Sequence, residues 1–389
     1  MCYGIRELTG PRVPRSSTMS TSPGLTHFPG AGFVPSPCVP MSARPLALSM
    51  ILLASPLFGA DREPVRGEGT EMDPSLRSEE NSSSPAQPEA SMPSIPAPLP
   101  LAERLHAHVA RLAGEIGERN VWRPRALHAA ADYIRGEWQR QGHEPRAQRY
   151  TAYGVPSENL EVVLQGEVRP SEIILAGAHY DSVRGSPGAD DNASGVAALL
   201  EIGRLLVGLE LTRTIRLVAF VNEEPPFFYW GEMGSKVYAE AARKRGDDIR
   251  LMMSLEMLGA YYDAPGSQGY PPIIGWFYPD RANFIAFVSN IASRRVLRRT
   301  VEAFRRASAF PSEYLAAPSL VPGVSWSDQL SFWRVSYPAL MVTDTAFHRY
   351  AYYHTAQDTP ERIDYTRMAQ VVEGLATAII LLANDKERL

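Results

Sequence analysis

The sequence predicts an α/β fold, with a mostly parallel mixed central sheet and helices on both faces. Apolar runs of strand length end in acidic or histidine side chains, and segments with the 3.6-residue apolar period of helices precede and separate them. In such sheets ligands bind outside the carboxyl ends of the strands. We therefore expect the polar residues that follow these runs to share one crevice.

Two helices are predicted at the start of the folded domain. Apolar residues recur with helical spacing over residues 101–117 and again over residues 126–141, which end before Gly142. A third helix is predicted directly after the acidic loop at 190–191, where Val196, Leu199 and Leu200 recur. The last helix is predicted over residues 365–384, whose apolar side chains also lie on one side.

The predicted strands are the apolar runs between these helices. They cover residues 160–166, 173–178, 214–224, 249–259 and 338–345. Each of the later runs carries an acid at or near its carboxyl end, and the last is followed at a short distance by Tyr353 and His354. This repeated order of strand, acid and helix favours parallel pairing.

Composition excludes several classes of function. The chain has 389 residues and a net charge of −4, and its 44% hydrophobic content is ordinary for a globular protein. No basic block is interleaved with aromatic residues, so nucleic acid is not expected as a partner. The basic cluster at 294–299 is interpreted as the solvated face of a helix. No oligomeric state is predicted.

Cysteine content restricts the metal chemistry. Cys2 and Cys38 both precede the predicted folded domain. A thiolate metal site and a stabilising disulfide are therefore both excluded in that domain.

The N-terminal hundred residues are interpreted as targeting and linker segments. Residues 1–60 comprise a disordered start and a signal peptide that runs from Met41, the favoured true start, to about Ala60. The apolar part is shorter than a bilayer span, so no stable membrane anchor is expected. Residues 61–100 are rich in Pro, Ser and Glu and indicate a disordered linker. The protein is thus expected to be secreted or periplasmic, with a catalytic domain over residues 101–389.

The polar side chains at the strand ends indicate a metal site. They are His179, Asp181, Asp190, Asp191, Glu223, Glu224, Glu256 and His354. Imidazoles with carboxylates suit zinc, with manganese or cobalt as chemically allowed alternatives. There are more carboxylates than one zinc ion uses, so a bridged pair of metals accommodates them better. Asp181 is placed to orient the imidazole of His179.

These motifs resemble the two-zinc aminopeptidases of metallopeptidase family 28. The resemblance rests on HYDS at His179, GADDNASG at Gly188, NEEPPFF at Asn222, SLEMLG at Ser254 and YHTAQDT at Tyr353, which occur in family order. It covers nearly all of residues 101–389 and implies the α/β fold of zinc exopeptidases, similar to phosphorylases and related hydrolases. The implied substrate is a peptide.

The resemblance also implies a role for each residue. His179 and Glu256 would hold one zinc ion, Glu224 and His354 a second, and Asp191 would bridge the two. Glu223 would be the general base, and Tyr353 would either donate to the oxyanion or pack over His354. A cis peptide bond is implied after Asp191.

Two positions depart from the family pattern. Glu256 stands where many members carry aspartate, and Gln329 stands where relatives often carry histidine, so no substrate role is assigned to Asp328. The nearby aromatic residues could line a substrate pocket, although core packing is the expectation for at least half of them: Phe227, Phe228, Trp276 and Phe277.

Three other functions stay open. Glutaminyl cyclases share this fold and most of the ligands but use one zinc ion, and their bridging aspartate is typically followed by serine, whereas Asn192 follows here. Carboxypeptidases and dipeptidases of the same family are a second alternative. A receptor-type binding domain that has lost its metals is a third, and the complete set of expected ligands opposes it.

Overall fold

The computed structural model describes residues 99–389, except 230, 273 and 388. The predicted signal peptide and almost all of the predicted linker lie outside the described residues and stay predictions. Within the described part, the first helix begins at Leu101. This is the residue at which the sequence places the start of the domain.

The helices agree with the sequence prediction at both ends of the domain. In chain order they are α1 Leu101–Val109, α2 Pro124–Arg140, α3 Gly195–Leu205, α4 Gly234–Arg245, α5 Arg294–Ala307, α6 Gln329–Arg334 and α7 Tyr365–Asn384. A π-helical segment, Ala110–Ile116, continues α1. The basic cluster lies on α5, where Arg294, Arg295 and Arg298 are exposed beside the buried Val296 and Leu297.

Eight strands form one mixed sheet in the described part of the chain. They are β1 Arg146–Ala152, β2 Val155–Leu164, β3 Arg169–His179, β4 Arg213–Phe220, β5 Asp248–Glu256, β6 Ile285–Ser289, β7 Ser312–Ala316 and β8 Ala339–Thr343. Their order across the sheet is β1-β2-β4-β3-β5-β8-β6-β7. The strands β4, β3, β5 and β8 are parallel neighbours, so their carboxyl ends meet at one edge.

Three strands and three antiparallel pairings were not anticipated. The pairs β1–β2, β2–β4 and β6–β8 are antiparallel. The strand β1 is half polar, and β6 and β7 have only five residues each, so none gives a strong apolar signal. Their pairing depends on partners that are distant in sequence.

The sheet has a core on each face. The side chains of Ile174 and Ala176 point to the face covered by α1, α2, α3, α5 and α7. Those of Ile173 and Leu175 point to the opposite face, where α4 and α6 pack. Alternate residues of β3 thus serve two apolar layers, which explains why this strand is a continuous apolar run. The prediction of helices on both faces is confirmed.

Among the described helices, α7 alone is long and apolar enough to cross a membrane. Of its most apolar 18-residue window, 61% is buried within the fold. Its residues Val371, Leu375 and Ile379 pack in the larger core. The helix therefore uses its apolar surface in core packing.

A buried carboxylate connects α1 to α3. The Glu201 side chain is fully buried and accepts bonds from Arg104 Nε at 2.9 Å and Arg204 Nε at 2.7 Å. His108 Nε2 lies 3.1 Å from its other oxygen. Although burial alone would raise the pKa of Glu201, the bonds from His108 and both arginines lower it to about 2. Folding thus favours the ionised form.

Replacing Glu201 by glutamine is expected to destabilise the fold by about 2 kcal/mol at pH 7, because charge-assisted bonds are lost. The folded pKa lies below the ordinary value of 4.5, so the contribution is complete above pH 4.5 and is lost as the pH falls towards 2. Urea unfolding measures the free energy of unfolding of parent and variant. The difference between the two should be smaller at pH 3 than at pH 7. Glu240→Gln, which changes an exposed glutamate, is the control. An equal difference in unfolding free energy at both pH values would contradict a stabilising role of the ionised Glu201.

Candidate metal centre

The predicted polar residues gather at the carboxyl edge of the parallel strands. His179 ends β3 and Glu256 ends β5. Glu223 and Glu224 follow β4, and Asp191 lies in a buried turn just before α3. His354 is supplied by the loop between β8 and α7. Because β4, β3 and β5 are adjacent and parallel, their carboxyl ends lie side by side at the same edge of the sheet.

Two groups of three side chains could each hold a metal ion, and they share Asp191. In the first group, His179 Nε2 lies 3.3 Å from Asp191 Oδ1 and 3.4 Å from Glu256 Oε2. In the second, His354 Nε2 lies 3.1 Å from Asp191 Oδ2 and 3.4 Å from Glu224 Oε2. Each oxygen of Asp191 faces a different histidine, which is the arrangement that a bridging carboxylate requires.

Local backbone structure fixes the position of Asp191. Gly188 has φ 63°, and a Cβ atom there would lie 2.3 Å from the carbonyl oxygen of Asp191. The Asp191–Asn192 peptide is cis, as the family resemblance implies. The Asp358 carboxylate accepts bonds from the N–H groups of Asp190 at 2.8 Å and Asp191 at 3.1 Å. Only glycine therefore fits at position 188. The two hydrogen bonds to the Asp358 carboxylate stabilise the turn.

Asp181 supports the site in a way that the sequence did not indicate. Its carboxylate accepts the backbone N–H groups of Glu223 at 3.0 Å and Glu224 at 3.2 Å. The carboxylate oxygen lies 3.6 Å from His179 Nδ1, whereas the backbone carbonyl of Asp181 lies at 3.2 Å. A distance of 3.6 Å is too long for a hydrogen bond. The backbone of Asp181 therefore orients the imidazole, and its side chain positions the two glutamates.

Glu223 is buried beside the two groups without belonging to either. Its carboxylate makes no hydrogen bond or ion pair with another residue in the described ranges. Burial raises its pKa well above the ordinary value, the His179 side chain opposes this rise, and the negative charges of Glu224 and Glu256 add to it. A carboxylate with a raised pKa is suited to accept and return a proton.

The donor set fits divalent metal ions. All five candidate ligands are nitrogen or carboxylate oxygen donors, and the ligand atoms within each group lie within 4.8 Å of one another. Glu224 Oε1 is buried and has no hydrogen-bond partner among the described residues. Burial together with the charge of Asp191 raises the pKa of Glu224 to about 7. Cations between these side chains would relieve this repulsion and satisfy the unpartnered oxygen.

Tyr353 packs against the second group. Its ring is stacked on His354, with ring centroids 3.8 Å apart and planes 20° apart. Its phenol also lines the cavity that contains Glu256. The packing role predicted for Tyr353 is observed, and its hydroxyl remains at the site.

The four aromatic residues suggested for a substrate pocket do not line the cavity at the metal centre. Phe227 is buried in the larger core, and Phe228 packs against it. Trp276 and Phe277 are 83% and 64% exposed. Phe227 and Phe228 are therefore core residues, as the sequence suggested for at least half of the four. The suggested pocket role of Trp276 and Phe277 stays a prediction.

Asp328 and Gln329 were considered from the sequence, but the adjacent Ser327 was not. Its hydroxyl donates to Glu256 Oε2 at 2.6 Å and lies 2.9 Å from the hydroxyl of Ser254. Ser327 and Glu256 are 71 positions apart, and a contact between residues so distant in the chain has no periodic pattern in the sequence. Ser327 fixes the Glu256 carboxylate in the orientation that faces His179.

Ser327→Ala is expected to weaken divalent metal binding by about 10- to 100-fold, as is typical when a bond to a metal ligand is removed. A competition titration with a coloured chelator measures this affinity. Ser325→Ala is the matched control, because the Ser325 hydroxyl donates to the carbonyl of Ser319. Unchanged affinity in Ser327→Ala would show that Glu256 is held by other contacts.

Sequence comparison identifies relatives over most of the domain. The Escherichia coli (strain K12) protein YfbL is 39% identical over 293 residues, which cover 73% of this chain and 88% of YfbL. Aminopeptidase YwaD of Bacillus subtilis (strain 168) is 24% identical over 226 residues, which cover 57% of this chain and 43% of YwaD. This chain therefore spans less than half the length of YwaD.

Solved structures share the fold at lower identity. BSAP, a zinc aminopeptidase from Bacillus subtilis, aligns with a TM-score of 0.59 and 15% identity over 75% of this chain and 97% of its own. A Tannerella forsythia glutaminyl cyclase aligns with a TM-score of 0.52 and 22% identity over 74% and 99%. At this identity, both alignments support the α/β fold alone.

One protein family matches the part of the chain that contains the strands of the candidate site. Peptidase family M28 matches residues 159–379, which include every candidate ligand and Glu223. The match covers more than half of the chain, from β2 into α7. This chain belongs to peptidase family M28.

Proposed function

We propose that this protein is a zinc-dependent aminopeptidase that hydrolyses the N-terminal peptide bond of peptides. The observation that carries the proposal is the pair of ligand groups that share Asp191, with the Glu223 carboxylate buried beside them and not paired with any described residue. Membership of a peptidase family and the aminopeptidase relatives support it.

Two zinc ions per chain are proposed, one in each group. His179 and Glu256 would hold the first, Glu224 and His354 the second, and Asp191 both. When bound, zinc would polarise the peptide carbonyl and make water more acidic.

The protein supplies the proton transfers. Glu223 takes a proton from the water that attacks the peptide carbonyl and holds that proton as a neutral carboxylic acid. It then returns the proton to the leaving amine as the carbon–nitrogen bond breaks. The Tyr353 hydroxyl would donate to the oxygen that becomes negative. The products are one free amino acid and a shortened peptide.

The charges around the site favour recognition of a substrate amine. The cavity that opens at Glu256 has two carboxylates in its lining, and no lysine or arginine occurs among the described residues that line it. A carboxypeptidase needs a cationic side chain to bind the terminal carboxylate. The described lining has no such side chain, which favours the aminopeptidase over the carboxypeptidase.

A substrate panel with metal analysis tests the proposal. Zinc-supplemented protein is expected to hydrolyse aminoacyl anilides and free peptides, to leave N-acetylated peptides intact, and to lose activity in a chelator. Elemental analysis is expected to give two zinc ions per chain. One tightly held zinc ion with cyclisation of N-terminal glutamine would instead establish a glutaminyl cyclase. Cleavage of N-blocked peptides from the carboxyl end would establish a carboxypeptidase.

A further inference from the structure

A cavity of about 100 Å³, which opens to solvent, lies beside the candidate metal centre. Glu256 and Tyr353 line it at the metal side. Its other walls are mainly apolar and include three tyrosines, Tyr270, Tyr278 and Tyr314. Glu313 is the one other acidic residue among the described residues that line it.

The register of the sheet places Glu313 opposite Glu256 across this cavity. Glu256 pairs with Thr343, Thr343 with Ala286, and Ala286 with Glu313. Paired residues on adjacent strands point to the same face of a sheet, and all four residues line the cavity. Three strand spacings separate the two glutamates, which is roughly 14 Å between their Cα atoms. The cavity thus extends from a proposed metal ligand to a second carboxylate.

Glu313 is partly buried and has no partner. Its carboxylate makes no hydrogen bond or ion pair with any residue in the described part of the chain. Burial raises the pKa of Glu313, because the charged carboxylate loses part of its hydration in the fold. The charge of Arg305 lowers the pKa of Glu313, but the Arg305 guanidinium donates to Ser312, through Nε to the hydroxyl at 3.0 Å and through Nη2 to the carbonyl at 2.6 Å.

Two of the tyrosines, Tyr270 and Tyr278, lie close enough to Glu313 for its charge to act on them. Burial and the negative charge of Glu313 together raise the pKa of Tyr278 to about 12. The rings of Tyr270 and Tyr278 are stacked with centroids 5.9 Å apart. Aromatic faces beside a carboxylate attract a cation at the end of an apolar stem.

We propose that Glu313 selects substrates whose N-terminal residue is arginine or lysine, with that side chain extended along this cavity. The proposal rests on the proposed aminopeptidase function and names its substrate class. The apolar stem of such a side chain covers Ala286 and the tyrosine rings, and its charged end reaches the carboxylate. A neutral side chain of similar length leaves the partly buried Glu313 without a partner.

Lysine and norleucine form a matched pair of probes, because norleucine keeps the stem and lacks the charged group. The value of kcat/KM for lysyl 4-nitroanilide is expected to exceed that for the norleucyl compound by about tenfold or more. Glu313→Gln is expected to remove this preference by lowering the lysyl and arginyl values and leaving the norleucyl value unchanged. The exposed Glu302→Gln on α5 is the control for the loss of one negative charge nearby.

Three outcomes are decisive. Equal or faster hydrolysis of the norleucyl compound by the parent would overturn the role of Glu313 and leave the aminopeptidase function intact. A parallel loss for all substrates in Glu313→Gln, with unchanged thermal unfolding, would also overturn it. If no aminoacyl compound is hydrolysed, the proposed function fails. Calorimetric binding of lysinamide and norleucinamide then decides the inference, which requires tighter binding of lysinamide and loss of the difference in Glu313→Gln.

Discussion

Glu223→Gln is expected to lower kcat by about 10²- to 10⁴-fold, because an amide cannot accept the proton that a carboxylate base takes from water. The zinc content should stay at the parental value, because Glu223 belongs to neither ligand group. Steady-state hydrolysis of an aminoacyl anilide, combined with elemental analysis of the same sample, measures both quantities.

The control for this variant is Glu232→Gln, which changes an exposed glutamate in the same segment after β4. It should keep the parental rate and metal content. Hydrolysis at the parental rate by Glu223→Gln would show that the assigned mechanism is wrong. Loss of zinc from that variant would instead place Glu223 among the ligands.

Asp191→Asn is expected to reduce metal binding at both groups and to abolish measurable turnover. Each oxygen of Asp191 faces one histidine, so a neutral amide at this position removes the negative charge shared by the two groups. Its backbone N–H bond to Asp358 does not involve the side chain and should persist. Elemental analysis after dialysis against a mild chelator measures the loss, and circular dichroism confirms that the fold is kept.

Glu224→Gln provides the matched comparison, because Glu224 belongs to the second group alone. This variant is expected to keep about one metal ion per chain under conditions in which Asp191→Asn keeps fewer. If Asp191→Asn and Glu224→Gln lose the same number of ions, Asp191 does not bridge the two groups.

Local patterns were sufficient to predict the main elements of the domain. The apolar run before His179 is a strand because it is buried on both faces, and α7 has the predicted bounds because one side of it packs in the core. The convergence of His179, Glu224 and Glu256 followed from parallel strands that end at one edge. Chain-local information therefore predicted both the fold class and the edge that carries the candidate site.

Local sequence patterns could not predict contacts between segments that are distant in the chain. The bond from Ser327 to Glu256 joins residues 71 positions apart, and the bonds from Asp358 to the turn at Asp191 join residues 167 and 168 positions apart. The cavity floor depends on β6 and β7, two five-residue strands with little periodic signal. For this reason the sequence suggested pocket residues by aromatic type alone and gave no indication of Glu313.

The sequence by itself determined the α/β class and a candidate metal crevice at the strand ends, because apolar period and strand-end chemistry are properties of short segments. The roles of the ligands and the base were implied by the family resemblance. The tertiary structure alone decided that Asp191 presents one oxygen to each histidine and that the Asp181 side chain holds the two glutamates. It also decided that Glu313 and Glu256 line the same cavity. These features depend on strand register and loop packing, which arise only when the whole sheet has formed.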